Sequence, residues 1–232
     1  MQIQILELIE GAKAAKGLTV IIDVFRAFTV ACYAIESGAS RIIPVRTLDQ
    51  AFALKEIHPT FKLVGERGGI MPEGFHFGNS PFSMLHTDLT NTTLVHTTSA
   101  GTQGIVNASQ ASEIITGAFV NAEAIVQYIL QKNPSHVSLV AMGWGGEELT
   151  DEDMLCATYI RDRLMGQFPD FNEMKRFITE ESKTGNFLDV SDRESAPVED
   201  FDLCLQLNRF PFVLKVIPYQ DDLHELQVIK MN

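Results

Sequence analysis

A chain of 232 residues, 45% hydrophobic and 21% charged, has the composition of a folded protein and the length for one large α/β unit or two small ones. A largely disordered chain is excluded. Thirty acidic against eighteen basic residues give a formal charge of -12, and no Lys/Arg block offsets it, so a nucleic-acid or anionic-membrane surface is excluded too. An anionic small substrate remains compatible, because local arginines or a bound cation can reverse the field inside a cleft.

The opening MQIQILELIEGAKAAKG lacks a signal-peptide pattern. No apolar run reaches the roughly 18–20 residues of a membrane span, so a cytoplasmic protein is expected. Along the chain, Gln2–Leu8 predicts a strand, and Leu18–Ile22 has the β-branched composition of a buried parallel strand. Phe28, Ala31, Cys32, Ile35 and Ala39 then recur at helical spacing, with Gly38 as the stop. Arg41–Val45 is a strand, Leu48–Ile57 a helix capped by Thr47, and Phe61–Val64 a strand leading into GERGG. The aperiodic stretch 69–84, rich in Gly, Pro, Asn and Ser, predicts a long ordered loop. Strands at Thr93–His96, Glu113–Thr116 and Val137–Met142 alternate with helices at Gly101–Gln110, Asn121–Gln131 and Glu152–Leu164. Beyond Gly166 the signal fades, and residues 182–200 read as helix ends and loops. Phe210–Ile217 is expected as a last strand, starting at Pro211 or lying at an edge. Cys32, Cys156 and Cys204, odd in number and set among apolar neighbours, predict buried thiols in a reducing compartment.

GASRIIPVRTLDQA, 38–51, resembles QASEIITGAFVNAEA, 110–124, which lies 72 residues further on. Each follows a strand, a loop rich in Thr or Ser, and a helix, so an internal duplication of a β-loop-α-β-α unit is expected. The predicted architecture is a three-layer α/β/α fold with a mostly parallel or mixed sheet. It would be one compact domain over 1–232, built from halves at about 18–91 and 92–165 that share a sheet, with a C-terminal extension.

Asp23 stands immediately beyond a strand, at the sheet edge where α/β folds collect ligands, and it also reads as a helix cap. Arg26 would fall in that helix's first turn, where the dipole disfavours a cation and a bound anion would offset the cost. Glu66 and Arg67 sit likewise in GERGG, as a surface ion pair or as site elements. Asn79 and Ser80 belong to the long loop as turn residues or as part of a lid, and His76 reads as a packing residue. TTSAGT, 97–102, opens a helix with hydroxyls and amides, the means to cap it or to hold phosphate oxygens without a cation. In GWGGEELTDEDMLC, 143–156, one of Asp151–Asp153 caps the helix, or completes an oxygen-rich magnesium site with Asp23 or Glu66. Arginines, amides and carboxylates gathered at strand ends suit metal-assisted phosphoryl transfer or hydrolysis.

VIIDVFRAFTVACYAIESGA, GERGG with EGFHFGNSP, TTSAGTQGI, DEDMLC and CLQLNRF together resemble the 2-phosphosulfolactate phosphatase family over about residues 18–165, more loosely to Phe210. The resemblance implies a magnesium-dependent acid phosphatase releasing phosphate from 2-phospho-3-sulfolactate, a step toward coenzyme M in methane-forming archaea. Carried over by motif, it gives Asp23, Arg26 and Glu66 catalytic roles and assigns Mg²⁺ to Asp23, Glu66 and Asp153. Substrate contacts fall on Arg26, Asn79, Ser80, Thr98, Gly101 and Thr102, and Arg67, beside Glu66 at its strand end, is read with them from its position. Ala100 and Gln103 stand where the family usually has Asn and Arg, and Phe28 where it has a small or hydroxyl residue. Those departures leave open another phosphorylated small acid, or an anionic-metabolite binder with weak or no turnover. A small anionic phosphoester is the expected partner, nucleic acid and membrane are not, and a homo-oligomer is open.

Overall fold

A computed structural model describes residues 1–182 and 196–231. The first third of the chain forms β1 (Gln2–Glu7), α1 (Leu8–Ala14), β2 (Gly17–Ile22), α2 (Ala27–Glu36), β3 (Arg41–Pro44), α3 (Leu48–Ile57) and β4 (Lys62–Gly65). The middle forms α4 (Pro81–Leu85), β5 (Thr93–Thr97), α5 (Gly101–Asn107), β6 (Ala111–Gly117), α6 (Ala122–Lys132), β7 (His136–Ala141) and α7 (Asp151–Leu164). Then follow α8 (Phe171–Glu180), α9 (Glu199–Cys204), β8 (Phe212–Pro218) and β9 (His224–Lys230).

These elements make the three-layer α/β/α architecture, but the strands form two sheets rather than the one expected. The larger has the order β1-β7-β2-β6-β8-β9 and the smaller β3-β5-β4. β1, β7, β2 and β6 run parallel, whereas β8 and β9 close the sheet antiparallel. Leu18, Val20, Ile21 and Ile22 are all buried, as a central parallel strand covered on both faces requires. In the smaller sheet the side chains alternate between two cores. Ile42, Val64 and Leu94 join the main core, while Ile43, Leu63 and Val95 pack with Ala51 and Leu54 of α3.

The strand orders relate the two halves. β2 opens the first half and lies between β6 and β7 of the second; β5 opens the second and lies between β3 and β4 of the first. Register follows the same exchange: Leu18 faces Glu113 as Thr93 faces Arg41, and Arg41 and Glu113 are repeat partners. We propose that 1–232 is therefore one folding unit. A fragment of residues 1–91 leaves β2 without β6 and β7, and β3 and β4 without β5. It is expected to show no cooperative unfolding transition in urea, and a cooperative transition in that fragment would defeat the proposal.

Four elements depart from expectation. α1 begins at Leu8, at φ 60°, directly after β1 with no side-chain cap to announce it. Ser80 and Pro81 start the short α4 inside the 69–84 loop, Ser80 accepting from the Ser83 amide at 3.1 Å. α8 starts at Asp170, which caps the Asn172 and Glu173 amides, and it buries Ile178. β8 is not the last strand, since β9 pairs along its whole length; Pro211 only precedes it, and β8 is not at an edge. Within 182–200, α9 begins at Glu199, and residues 183–195 lie outside the described residues. Cys32, Cys156 and Cys204 are free and buried, as expected.

Candidate functional site

A cleft of about 760 Å³ opens where the carboxyl ends of β2 and β7 meet those of β4 and β5. These are the central strand and one flanking strand of each sheet, and such strand ends are the ligand edge of α/β folds. Among the described lining residues are Asp23, Arg26, Glu66, Asn79, Ser99 and Glu152.

Asp23 leaves β2 and serves two helices at once. Its Oδ1 accepts from the Ala27 amide at 2.9 Å, and its Oδ2 from the Gly101 amide at 2.8 Å. The helix-cap reading of Asp23 is therefore correct, yet the same carboxyl also lines the cleft. Gly101 has to lack a Cβ, since one built there would lie 2.7 Å from Asp23 Oδ2 and 2.8 Å from Ala27 Cβ. Burial pushes the Asp23 carboxyl up to about 7. The Ala27 and Gly101 amides oppose that rise, and the negative charges of Glu66 and Glu152 reinforce it.

Glu66 projects from the end of β4 and is held by the turn after β5. Its Oε1 accepts from the Ser99 amide at 2.6 Å, and its Oε2 from the Gly69 amide at 2.8 Å and the Ser99 hydroxyl at 3.0 Å. Arg26 is 5% exposed, and its Nη1 donates to Asp200 Oδ2 at 2.7 Å. Asp200 is fully buried, and its Oδ1 accepts from the Ser80 hydroxyl at 2.8 Å and the Phe82 amide at 2.9 Å. The guanidinium on the cleft wall is thus fixed to α9 and, through Asp200, to the start of α4. Asn79 is fixed from behind by His96, whose Nε2 lies 3.2 Å from Asn79 Oδ1. Burial, with help from the Arg67 charge, holds the His96 imidazole down to about 4, so it is neutral near pH 7 and donates to that oxygen. The Asn79 amide nitrogen is then left as the donor for a ligand.

The remaining sequence-selected residues stand in the wall behind the cleft. Asp153 is 2% exposed; its Oδ1 accepts from the Val24 amide at 2.8 Å and its Oδ2 from the Gly143 amide at 2.9 Å. It is Glu152, one position earlier in the first turn of α7, that lines the cleft. Arg67 donates to the carbonyls of Glu66 and Arg46 and to Thr97 Oγ1, bracing the loop. Thr98 and Thr102 bond each other reciprocally through amide and hydroxyl at 2.9 and 3.1 Å, closing the start of α5. With the Gly101 amide given to Asp23, that turn shows Ser99 and Ala100 to the cleft. Gln103 donates to the Arg46 carbonyl at 2.8 Å. His76 accepts from the Leu63 amide at 3.1 Å through Nδ1, the packing role expected of it. Asp200 had no signal in a polar, aperiodic segment, whereas Glu152 stood in the acidic loop already singled out.

The donor set suits a hard divalent cation. Asp23, Glu66 and Glu152 bring buried carboxylates to one cleft, where burial first, and then the charges of Glu66 and Glu152, raise the Asp23 carboxyl. Among the described residues no three His, Cys, Asp or Glu form a ready-made cage. Mg²⁺ needs none, since it keeps several waters and takes one or two carboxylates with substrate oxygens.

Fold and cleft define an α/β protein with a carboxylate-rich cleft at its strand ends. The sequence profile of 2-phosphosulpholactate phosphatase matches residues 3–218, and the chain belongs to that family. It is 39% identical over 155 residues to a protein of Caldicellulosiruptor saccharolyticus, the match covering 65% of this chain and 64% of that one. A Bacillus subtilis protein is 37% identical over 155 residues, covering 66% of each chain. A Clostridium acetobutylicum protein is 34% identical over 158 residues, covering 68% of this chain and 66% of its own. All three bear the name "Probable 2-phosphosulfolactate phosphatase". The matched segments thus span just under two thirds of these relatives' length. Among the described residues no helix is long and apolar enough to cross a membrane.

Proposed function

We propose that this protein is a magnesium-dependent phosphatase acting on a small anionic phosphoester. The first substrate to test is 2-phospho-3-sulfolactate, the compound in the relatives' name. The observation that carries this reading is the convergence of Asp23, Glu66 and Glu152 beside the Arg26 guanidinium and the Asn79 amide in one cleft. The described walls hold six carboxylates and one guanidinium, so an anion enters favourably only once a cation has offset that charge.

One or two of the Asp23, Glu66 and Glu152 carboxylates would hold the Mg²⁺, with waters and substrate oxygens completing its shell. Bound there, it would neutralise phosphoryl oxygens and activate the attacking water. Arg26 presents its planar guanidinium to two phosphoryl oxygens, with Asp200 fixing the plane. Asn79 donates to a further oxygen, oriented by His96. Cytoplasmic placement fits the three free, buried cysteines.

Phosphate release from 2-phospho-3-sulfolactate and a panel of phosphorylated hydroxy acids tests this directly. Turnover is expected with magnesium and its loss on chelation. Anion binding with no release from any ester would replace the enzyme by a binding protein, the reading that Ala100 on the cleft wall favours.

A further inference from the structure

The cleft is chemically two-sided. Its inner end holds Asp23, Arg26, Glu66, Asn79 and Glu152, and its mouth carries three large apolar side chains open to solvent among the outer carboxylates Glu148, Asp151 and Glu181. Ile70 is 59% exposed, Trp144 56% and Leu149 44%, and all three line the cleft. A short polar acid held at the inner end would leave the mouth as water against apolar side chains. A volume of about 760 Å³ is that of a site for a larger organic ligand.

The indole is built into position. Gly143, at φ 62°, leaves β7 in a turn where a Cβ would lie 2.1 Å from the Glu148 carbonyl oxygen. The Trp144 amide donates to that carbonyl at 2.7 Å, and the Glu148 amide donates back to the Trp144 carbonyl at 3.1 Å. Across the mouth, Gly69 makes room for the ring, since a Cβ there would stand 3.1 Å from Trp144 Cη2. Ile70 follows Gly69, in a turn closed by mutual Arg67–Ile70 backbone bonds, and Leu149 follows Glu148. Two tight turns from different strand ends thus bring an aromatic face and two aliphatic side chains to one opening.

We propose that this mouth is a subsite for a flat apolar group on the ligand, with the Trp144 indole as its platform. It rests on the reading that the inner end takes a phosphoryl group. A small molecule is the occupant because these side chains line a concave cleft continuous with the carboxylates. The chemical class is a phosphomonoester whose alcohol portion carries an aromatic or comparably planar apolar group.

Phenylphosphonate and methylphosphonate share the anionic head, resist hydrolysis and differ in the apolar group. Calorimetric titration of both, with magnesium present, is the test. Phenylphosphonate is expected to bind about tenfold more tightly, from aromatic stacking and apolar burial. Trp144 is the only tryptophan in the chain, so phenylphosphonate should also change the protein's fluorescence. Trp144→Ala should bring the two affinities together, and Trp144→Phe should restore part of the preference. Equal affinities in the parent, a preference that survives Trp144→Ala, or no binding of either phosphonate overturns the subsite. Phosphate release reports separately on the enzyme reading: a preference for phenylphosphonate with no turnover of any ester keeps the subsite and removes the phosphatase.

Discussion

Asp200→Ala is expected to destabilise the protein by about 3–5 kcal/mol, because it removes the carboxylate that pairs with the buried Arg26 guanidinium. The pair is 2.7 Å apart, with side chains 5% and 0% exposed, so solvent cannot replace the missing charge. The loss also leaves the Ser80 hydroxyl and the Phe82 amide without their acceptor. Asp200→Asn should cost less than Asp200→Ala, since its amide oxygen can still accept from Ser80 and Phe82, although its NH2 then faces the Arg26 guanidinium as donor against donor. A double variant, Arg26→Met with Asp200→Leu, removes both charges and should recover much of the stability. It should remain inactive, with kcat/KM for any hydrolysed phosphoester down by about 10²–10³ or more, as expected when a preorganised donor is removed. Denaturation midpoints beside steady-state phosphate release measure both quantities. A stable double variant with parental activity would show that the pair only holds α9 in place and that Arg26 does no chemistry.

That pair marks where sequence reasoning stops. Arg26 could be selected because a cation in the first turn of a helix conflicts with the dipole, and conflict of that kind is visible locally. Its partner lies 174 residues away in a segment with neither period nor apolar pattern, so only the tertiary structure reveals it. The same distinction separates Glu152 from Asp153. Successive residues on a helix point about 100° apart, and an acidic run looks alike from every side until α7 docks. Docking turns Asp153 onto the Val24 and Gly143 amides and leaves Glu152 facing the cleft. In the fold, β2 through β7 were legible because buried parallel strands carry dense apolar runs. β9 was not, for HELQVIK shows little alternation and buries only Leu226. The repeat pointed to related halves, but an offset in sequence is silent about exchange of strands between two sheets.

Asp23→Asn is expected to lower kcat/KM by about 10²–10³, the scale lost when a preorganised electrostatic group is removed from a reacting site, and to remove a pH dependence of stability in the magnesium-free protein. In the magnesium-free protein the Asp23 carboxyl rises from 3.8 to about 7 on folding. Between those values the folded state binds a proton that the unfolded chain does not. Stability from this group is therefore complete below about pH 4 and lost as pH rises to about 7, by roughly 4 kcal/mol in all. His96 works the other way, because its imidazole is held down to about 4 and resists charging in the fold. It is present in both proteins, so the difference between parent and variant isolates Asp23. Urea unfolding between pH 4 and 8 in chelator should show the parent losing stability relative to Asp23→Asn across that window. Magnesium should flatten the parent's decline, because a cation at Asp23 favours the ionised carboxylate that high pH otherwise leaves buried and uncompensated. Parallel pH profiles for the two proteins would mean that Asp23 does not titrate in the cleft. An Asp23→Asn protein with parental kcat/KM would place the reacting atoms elsewhere, and the two amide bonds to Ala27 and Gly101 would then be its whole purpose.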